Sequence, residues 1–328
     1  MARIYLACEA STENHPFARR DYERLLEYAG KDTIRKHTLS DHPENSDLIA
    51  FVGSSMPDGS DVRSSTLYQQ YKENSVLFHS GDKVIPVLPG VYTCLEKRWY
   101  TPIRKGVRSG FYLRVAENDS MDLPERIEEA RFLFSFVGSS ANHSVRKKIC
   151  RLRDERGCIV DTTEEQEQSD GVSGENRVRG LHYRDVMARS RFVLCPAGKG
   201  VATWRLFETM RAGRVPVIIA DRWIPTEGPD WQSFSVFVAE KDVGSISERL
   251  RYREAEAFRM GAAARQAWET FFSAERAFST LVDLLVAAHR EYQSAGLLSK
   301  TASVLQYAEP FFLRYCVLSP IKQALFKR

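Results

Sequence analysis

The chain has 328 residues, 43% of them hydrophobic, and its 47 lysines and arginines against 43 aspartates and glutamates give a net charge of +4. This length predicts about two domains, and the mild, evenly spread charge argues against a nucleic-acid-binding protein. No apolar run approaches the roughly 20 residues of a membrane-spanning helix. The six cysteines form no C-x-x-C pair, which is typical of free thiols in a reducing compartment. We therefore expect a soluble, cytoplasmic protein.

Strand-like and helical segments alternate through the first third of the chain. The predicted strands are RIYLAC, DLIAFVGS and SVLFHS, and the helical segments between them are HPFARRDYERLLEYAG, with Gly30 as its expected C-cap, and STLYQQYKEN. The N-terminal segment MARIYLACEAS is too short for a signal peptide and predicts the first strand. From about Trp99 to Leu123 the pattern weakens, which indicates an irregular connection.

The alternation restarts near residue 124. Four predicted strands, FLFSFVGS, CIVDTT, RFVLC and VPVII, are separated by helical segments, and two long helices follow them. Alternation of this kind predicts parallel sheets with helices on both faces. Its restart predicts two such domains, at 1–123 and 124–300.

The last segment, 301–328, is apolar and aromatic and ends in basic residues. Such a composition also occurs in helices that lie on membrane surfaces, but Pro310 and Pro320 interrupt any long helix here. We expect this tail to pack back on the protein, with a weak contact to the inner face of a membrane as the alternative.

A glycine loop, CPAGKG, follows the predicted strand RFVLC and precedes a helix. Ligands of open α/β sheets bind beyond the carboxyl ends of the strands. There, Gly198 permits a close backbone approach, the helix N-terminus offers N–H groups to an anion, and Lys199 adds positive charge. The loop matches neither the P-loop nor the dinucleotide-binding motif, so an ordinary tight turn explains it equally well.

The helix after this loop carries Arg205 and Glu208 on one face. They form either a structural ion pair or a ligand site, in which Arg205 meets a phosphate and Glu208 accepts hydrogen bonds from ribose hydroxyls. A second segment, FSFVGSSANHSVRKK, repeats the strand, glycine and helix order with Gly138, Ser139 and Arg146. Two such loops predict convergence on one diphosphate.

These segments resemble the signature of the exostosin-type glycosyltransferases. RFVLCPAGKGVATWRLFETMRAGRVPVIIADRWIPTEGPDW has that family's strand ending in Cys-Pro, glycine loop, arginine and glutamate in WRLFE, AGxVPVII and Gly-Pro-Asp-Trp element. FLFSFVGSSANHSVRKKI is similar to the family's earlier strand, glycine and helix segment. The resemblance is strong over about 130–240 and looser over 78–115, and the first 60 residues carry no family signature.

The resemblance implies an α/β fold of the GT-B type, with two Rossmann-like domains facing across a cleft. The domain 1–123 would bind an acceptor glycan, and the domain 124–300 a nucleotide diphosphate sugar. The implied transfer inverts the anomeric centre and uses no metal or other cofactor, and the sequence has no D-x-D triplet. Basic groups would then neutralise the leaving diphosphate, and we expect Arg146, Lys199 and Arg205 to do so. Without a membrane stem, the chain looks like a soluble bacterial-type or viral-type member.

An inverting transfer needs a general base at the acceptor hydroxyl. Asp82, which follows a predicted strand within the looser family match, is the first candidate, and Glu9 after the first strand is the second. Glu227 and Asp230 in PTEGPDW are the third possibility, with a role in shaping the sugar pocket as their alternative. Each of these carboxylates has an ordinary alternative role as a cap, turn or surface residue.

Two other functions fit the same residues. A fucosyltransferase-like enzyme would bind a GDP-sugar through the same arginine and glutamate, in place of the UDP-sugar that we expect. A non-catalytic subunit would bind nucleotide sugar or glycan for a partner transferase. Donor hydrolysis without acceptor distinguishes an enzyme from such a subunit.

Overall fold

The computed structural model describes residues 1–9, 16–100, 105–117, 121–123, 130–164 and 182–296. Their described parts divide into two compact units. The first unit comprises the described residues of Met1–Arg114 and Ile224–Glu227 together with 274–296, and the second comprises those of Val115–Trp223 and Gly228–Ser273. The predicted tail, 301–328, lies outside the described residues.

Parallel strands form the sheet of each unit. In chain order the strands of the first unit are β1 at Arg3–Ala7, β2 at Thr38–Leu39, β3 at Leu48–Val52, β4 at Ser75–His79, β5 at Gly90–Tyr92 and β6 at Val107–Ser109. Those of the second are β7 at Phe132–Gly138, β8 at Gly157–Asp161, β9 at Ser190–Pro196, β10 at Val215–Ile219 and β11 at Val236–Phe237. The orders across the sheets are β2-β1-β3-β4-β5-β6 and β11-β10-β9-β7-β8, and every adjacent pair is parallel.

Helices connect these strands. In chain order they are α1 at Pro16–Lys31, α2 at Ser60–Arg63, α3 at Thr66–Gln70, α4 at Ser144–Cys150, α5 at 182–188, α6 at Trp204–Arg211, α7 at Trp231–Phe234, α8 at Ile246–Tyr252, α9 at Ala257–Phe271 and α10 at Ala277–Gln293. Short 3-10 helices lie at Pro43–Asn45, Lys72–Asn74, Lys97–Trp99, Leu113–Glu117, Glu240–Ser245 and Glu254–Glu256. None of the helices in the described ranges is long and apolar enough to cross a membrane.

The core of each unit follows from the apolar runs of its central strands. In the first unit β3 and β4 are buried along their whole length, as expected for strands covered on both faces. In the second unit Phe134, Phe192 and Val217, from β7, β9 and β10, are fully buried in one apolar cluster. The predicted α/β class with two parallel-sheet domains is confirmed, whereas a cleft between the domains stays a prediction.

The predicted domain boundaries need correction. The first unit ends at Arg114 instead of 123. It also includes residues 224–227 and α10, which the prediction assigned to the second domain. The physical reason is that α10 packs against β4, β5, β6 and α1 of the first unit. Two smaller predictions also differ: Gly30 lies inside α1, which continues to Lys31, and the segment expected to be irregular contains β6.

Candidate functional site

The predicted donor-binding residues of the second unit follow two neighbouring strands. β7 ends at Gly138, β9 ends at Pro196, and the two strands pair in parallel. The loop after β7 leads into α4, whose N-cap is His143, and the loop after β9 leads into α6. Because parallel strands end at the same edge of a sheet, both loops lie at the carboxyl edge, where ligands of this fold class bind.

Arg146 joins the two loops. It lies on α4 and is 8% exposed. Its Nε donates a 2.8 Å hydrogen bond to the carbonyl oxygen of Ala197, and its Nη1 lies 3.4 Å from that of Ser139. A Cβ atom at Gly198 would lie 2.7 Å from Nη2 of Arg146, so the glycine is what allows this guanidinium group to reach the second loop.

Arg205 is a buried cation that is only partly satisfied. It is 9% exposed, its Nη2 donates to the carbonyl oxygen of Val137, and its Cζ lies 4.7 Å from the ring centroid of Phe136. Among the described residues, Nε and Nη1 have no hydrogen-bond partner, and no carboxylate there pairs with Arg205. Burying an incompletely paired charge costs free energy, so this position is suited to binding an anion.

The two guanidinium groups meet at Gly138. A Cβ atom there would lie 2.7 Å from Nη2 of Arg205 and 3.7 Å from Nη1 of Arg146. The end of β7 therefore needs a residue without a side chain to accommodate both cations. The structure thus brings together Gly138, Arg146, Gly198 and Arg205, as the two-loop hypothesis expected.

The other predicted donor residues lie on the same two loops and on α6. Glu208 on α6 is half-buried, and its Oε2 accepts a 2.8 Å hydrogen bond from the hydroxyl of Tyr183. Lys199 is exposed in the loop between β9 and α6. Ser139 is buried, with its Oγ 3.0 Å from Oγ1 of Thr163.

Asp161, at the end of β8, shapes the loop after β7 and was not among the predicted site residues. Its Oδ1 accepts hydrogen bonds from the backbone N of Ser140 at 3.1 Å and from the backbone N and Oγ1 of Thr163 at 3.1 and 2.6 Å. Burial alone would raise the pKa of Asp161, but the hydrogen bonds from Ser140 and Thr163 outweigh it and lower the pKa to about 2. The sequence signal was the Asp-Thr-Thr that follows a strand, since aspartate in such a turn bonds the backbone two residues on.

Two of the three predicted bases lie at the carboxyl edge of the first unit's sheet. Glu9 is half-buried and follows β1, whereas Asp82 is exposed and follows β4. β3 separates these two strands in the sheet, so the two carboxylates occupy different positions along the edge. Beside Asp82, the backbone N of Gly81 donates to Nδ1 of His79 at 3.0 Å, and Nε2 lies 3.2 Å from the carbonyl oxygen of Met56.

Glu227, the third predicted base, is held in an ion-pair cluster instead. Arg108 of β6 pairs with Glu227, and its Nη2 also lies 2.6 Å from Oε1 of Glu291. The segment that carries Glu227 is anchored on the same strand end, because the Oγ1 of Thr226 donates to the carbonyl oxygen of Gly110 at 2.6 Å. These contacts hold the segment of Glu227 beside β6, and a role of Glu227 as the base stays a prediction.

A buried ion pair at the first unit's edge was also missed. Arg114 Nε lies 3.1 Å from Oδ1 of Asp21, and the hydroxyl of Ser80 donates to the same carboxylate. Asp21 is 1% exposed, so removing either partner would leave an uncompensated buried charge. In the sequence the two residues are 93 positions apart, and no local pattern connects them.

Known protein families and individual proteins resemble parts of this chain in sequence. Residues 111–252 match the family described as "Exostosin GT47 domain". The Exostosin-1 homolog of Caenorhabditis elegans is 31% identical over 150 residues, which cover 42% of this chain and 39% of that protein. Exostosin-2 of Bos taurus is 30% identical over 188 residues, which cover 54% of this chain and 26% of that protein. The chain spans less than half the length of these curated relatives.

Solved structures resemble the chain more distantly. A glycosyltransferase from Rickettsia africae is 10% identical, and the match covers 90% of this chain and 99% of that chain with a TM-score of 0.45. The family match includes both helices that carry Arg146 and Arg205. It confirms the exostosin resemblance for residues 111–252.

Proposed function

We propose that the protein is a glycosyltransferase that moves a sugar from a nucleotide diphosphate sugar, UDP-linked in our expectation, to a glycan acceptor in polysaccharide or glycoconjugate synthesis. The observation that carries this proposal is the meeting of two buried guanidinium groups, Arg146 and Arg205, at Gly138. The exostosin matches support sugar transfer as the reaction class. The proposal includes a cytoplasmic, bacterial-type or viral-type protein, and the described cysteines, all free, suit a reducing compartment.

The arginines would act on the leaving group. When the acceptor oxygen attacks the anomeric carbon, the bond from that carbon to the phosphate oxygen breaks and negative charge grows on the diphosphate. Cations that the fold already holds in place stabilise this charge without reorganising, and a planar guanidinium group matches phosphate oxygens. The exposed Lys199 would add charge from the loop. We propose that this arrangement replaces a metal ion, and that the transfer inverts the anomeric centre.

Nucleotide binding by an Arg205→Gln variant tests the donor site. We expect this variant to lose about 10-fold to 100-fold in affinity for UDP or GDP by calorimetry, because hydrogen bonds to charged groups contribute about 1.5–3 kcal/mol. Running both nucleotides also separates the UDP-sugar proposal from the fucosyltransferase-like alternative.

Arg214→Gln is the matched control. Arg214 is 1% exposed and donates to the carbonyl oxygens of Ala212 and Ala188 at 3.0 and 2.9 Å. It precedes β10, at the amino edge of the sheet. Its loss should destabilise the fold but leave the nucleotide affinity of the folded protein unchanged. If both variants lost affinity equally, or if neither nucleotide bound the wild type, the proposed donor site would be wrong.

The catalytic base is tested separately. We expect Asp82→Asn to lower turnover by about 100-fold with little change in donor affinity, since general-base catalysis contributes about this much. Full activity in this variant would eliminate Asp82 as the general base. Glu9 would then be the first candidate and Glu227 the second. Transfer should persist in the presence of a chelator, and its loss there would contradict a metal-independent mechanism.

Donor hydrolysis separates the enzyme from the non-catalytic alternative. A transferase slowly releases nucleotide diphosphate from its donor when no acceptor is present, whereas a binding subunit does not. We expect release of UDP from a UDP-sugar, because Nε and Nη1 of the buried Arg205, which have no hydrogen-bond partner among the described residues, are suited to stabilising the leaving diphosphate.

A further inference from the structure

Tyr183 contacts both side chains of α6 that the proposed donor site uses. It lies on α5, and its hydroxyl donates a 2.8 Å hydrogen bond to Oε2 of Glu208. Its ring centroid lies 5.7 Å from Cζ of Arg205. One aromatic side chain therefore contacts both the proposed phosphate-binding cation and the proposed ribose-binding carboxylate.

The environment of Tyr183 fixes which partner donates the hydrogen bond. Burial raises the pKa of the Tyr183 hydroxyl well above its ordinary value, and the negative charge of Glu208 raises it further. Tyr183 therefore keeps its proton over the whole physiological pH range. The tyrosine is the donor and the carboxylate of Glu208 the acceptor.

This contact orients the carboxylate of Glu208. A carboxylate offers about four lone-pair positions, and the tyrosine hydroxyl occupies one of them. A carboxylate held in one orientation can accept hydrogen bonds from two neighbouring ribose hydroxyls at once. A glutamate that rotates freely would first have to lose that freedom, which weakens binding.

We propose that Tyr183 is a positioning residue that sets the selectivity of the donor site for ribose. It holds the carboxylate of Glu208 toward the sugar hydroxyls while its ring packs beside Arg205. This inference rests on the proposed function, because it assigns a nucleotide diphosphate to the same site. It predicts that Tyr183 helps the site to distinguish nucleotides with ribose hydroxyls from nucleotides without them, and that Tyr183 does not contribute to binding of the phosphates.

The test compares nucleotides with and without ribose hydroxyls. Dissociation constants are measured by calorimetry for UDP and GDP and for their 2′,3′-dideoxy forms, on the wild type, Tyr183→Phe and Glu208→Gln. We expect the wild type to prefer the ribonucleotide by about tenfold or more, as for a hydrogen bond to a charged group. Tyr183→Phe should reduce that preference by at least about threefold and change the affinity for the dideoxy form by less than twofold. Glu208→Gln should remove most of the preference.

A tyrosine elsewhere provides the control for a merely structural effect. The buried hydroxyl of Tyr28 donates a 2.9 Å hydrogen bond to the carbonyl oxygen of Leu113 in the first unit. Tyr28→Phe should lower the melting temperature, as we also expect for Tyr183→Phe, but leave the ribose preference unchanged.

The outcomes separate this inference from the proposed function. If no nucleotide diphosphate bound the wild type, the proposed function would fail. If ribonucleotides bound with a preference that Tyr183→Phe retained, or if the wild type bound both forms equally, Tyr183 would have no positioning role and the diphosphate site would still stand.

Discussion

Arg205 combines structural contacts with the phosphate binding that we propose for it. The ring of Phe136, 4.7 Å from its Cζ, offsets part of the cost of burying the charge, because cation–π contacts contribute about 0.5–2 kcal/mol. The carbonyl oxygen of Val137 satisfies one nitrogen. Nε and Nη1 have no such partner among the described residues, so a bound phosphate would satisfy what the fold leaves open.

Gly138→Ala should weaken nucleotide binding by about tenfold or more. The new methyl group would lie 2.7 Å from Nη2 of Arg205, so the guanidinium group must move, and displacements near 1 Å at a binding site are costly. The loss of stability should be small, because the clash is with the end of a side chain. Binding is measured by calorimetry and stability by urea denaturation.

Gly30→Ala controls for the loss of a glycine. Gly30 lies inside α1, and a Cβ there meets nothing within 4 Å. Alanine at such a position stabilises a helix by about 0.5–1 kcal/mol, with no effect on nucleotide affinity. Unchanged nucleotide affinity in Gly138→Ala would show that the two arginines do not bind the diphosphate from their present positions.

The sequence was sufficient to select residues of the candidate site but not the residues that contact them. Arg205 and Glu208 stand three positions apart on one helix, so local periodicity places them together. The contacts that define their roles come from Val137 on β7 and Tyr183 on α5. Such contacts depend on which strands are neighbours, and hydrophobic periodicity carries no information about that.

At the scale of elements, strand and helix types were predictable and their ends were less so. The apolar runs of β3, β4, β7, β9 and β10 predicted those strands correctly. The expected end of α1 at Gly30 was wrong because the helix continues to Lys31, whose Nζ lies 2.6 Å from Oε1 of Glu27 one turn earlier. A glycine ends a helix where it adopts a positive φ, and Gly30 does not adopt one.

The turn after β8 should make the free energy of unfolding depend on pH in the acidic range. The pKa of Asp161 is lowered to about 2 in the folded protein, below the value of about 3.9 in an unfolded chain. Its contribution is therefore fully present above about pH 5 and is lost as the pH falls toward 2. Because Asp161 is exposed, solvent screening limits this contribution to about 1 kcal/mol or less.

Asp161→Asn isolates this contribution. Urea denaturation at pH 7 should show the variant to be less stable than the wild type, and the difference should shrink as the pH falls below about 4. A difference that stayed constant from pH 7 to pH 3 would mean that the charge of Asp161 does not hold the turn. Nucleotide affinity at pH 7 should also fall, since Asp161 fixes the backbone of Ser140 in the loop after β7.

At the scale of the whole molecule, the restart of strand and helix alternation predicted two units but not the path of the chain between them. An amphipathic helix has the same sequence pattern whichever sheet it covers, so α10 was assigned to the sheet nearest in sequence. The structure places α10 on β4, β5 and β6 of the first unit. A return of the chain to its first unit depends on contacts between residues that are distant in sequence. Local patterns of hydrophobic residues contain no information about such contacts.

The assignment of α10 can be tested with a pair of core substitutions. Leu285 of α10 and Leu250 of α8 are both 0% exposed, and leucine-to-alanine changes at such sites cost about 2–5 kcal/mol. We expect Leu285→Ala to accelerate hydrogen exchange of the amides in β3 and β4 while those in β7 and β9 keep their protection. Leu250→Ala should do the reverse, because it lies in the core of the second unit. If Leu285→Ala instead exposed β7 and β9, α10 would belong to the second unit, and the boundaries predicted from the sequence would be restored.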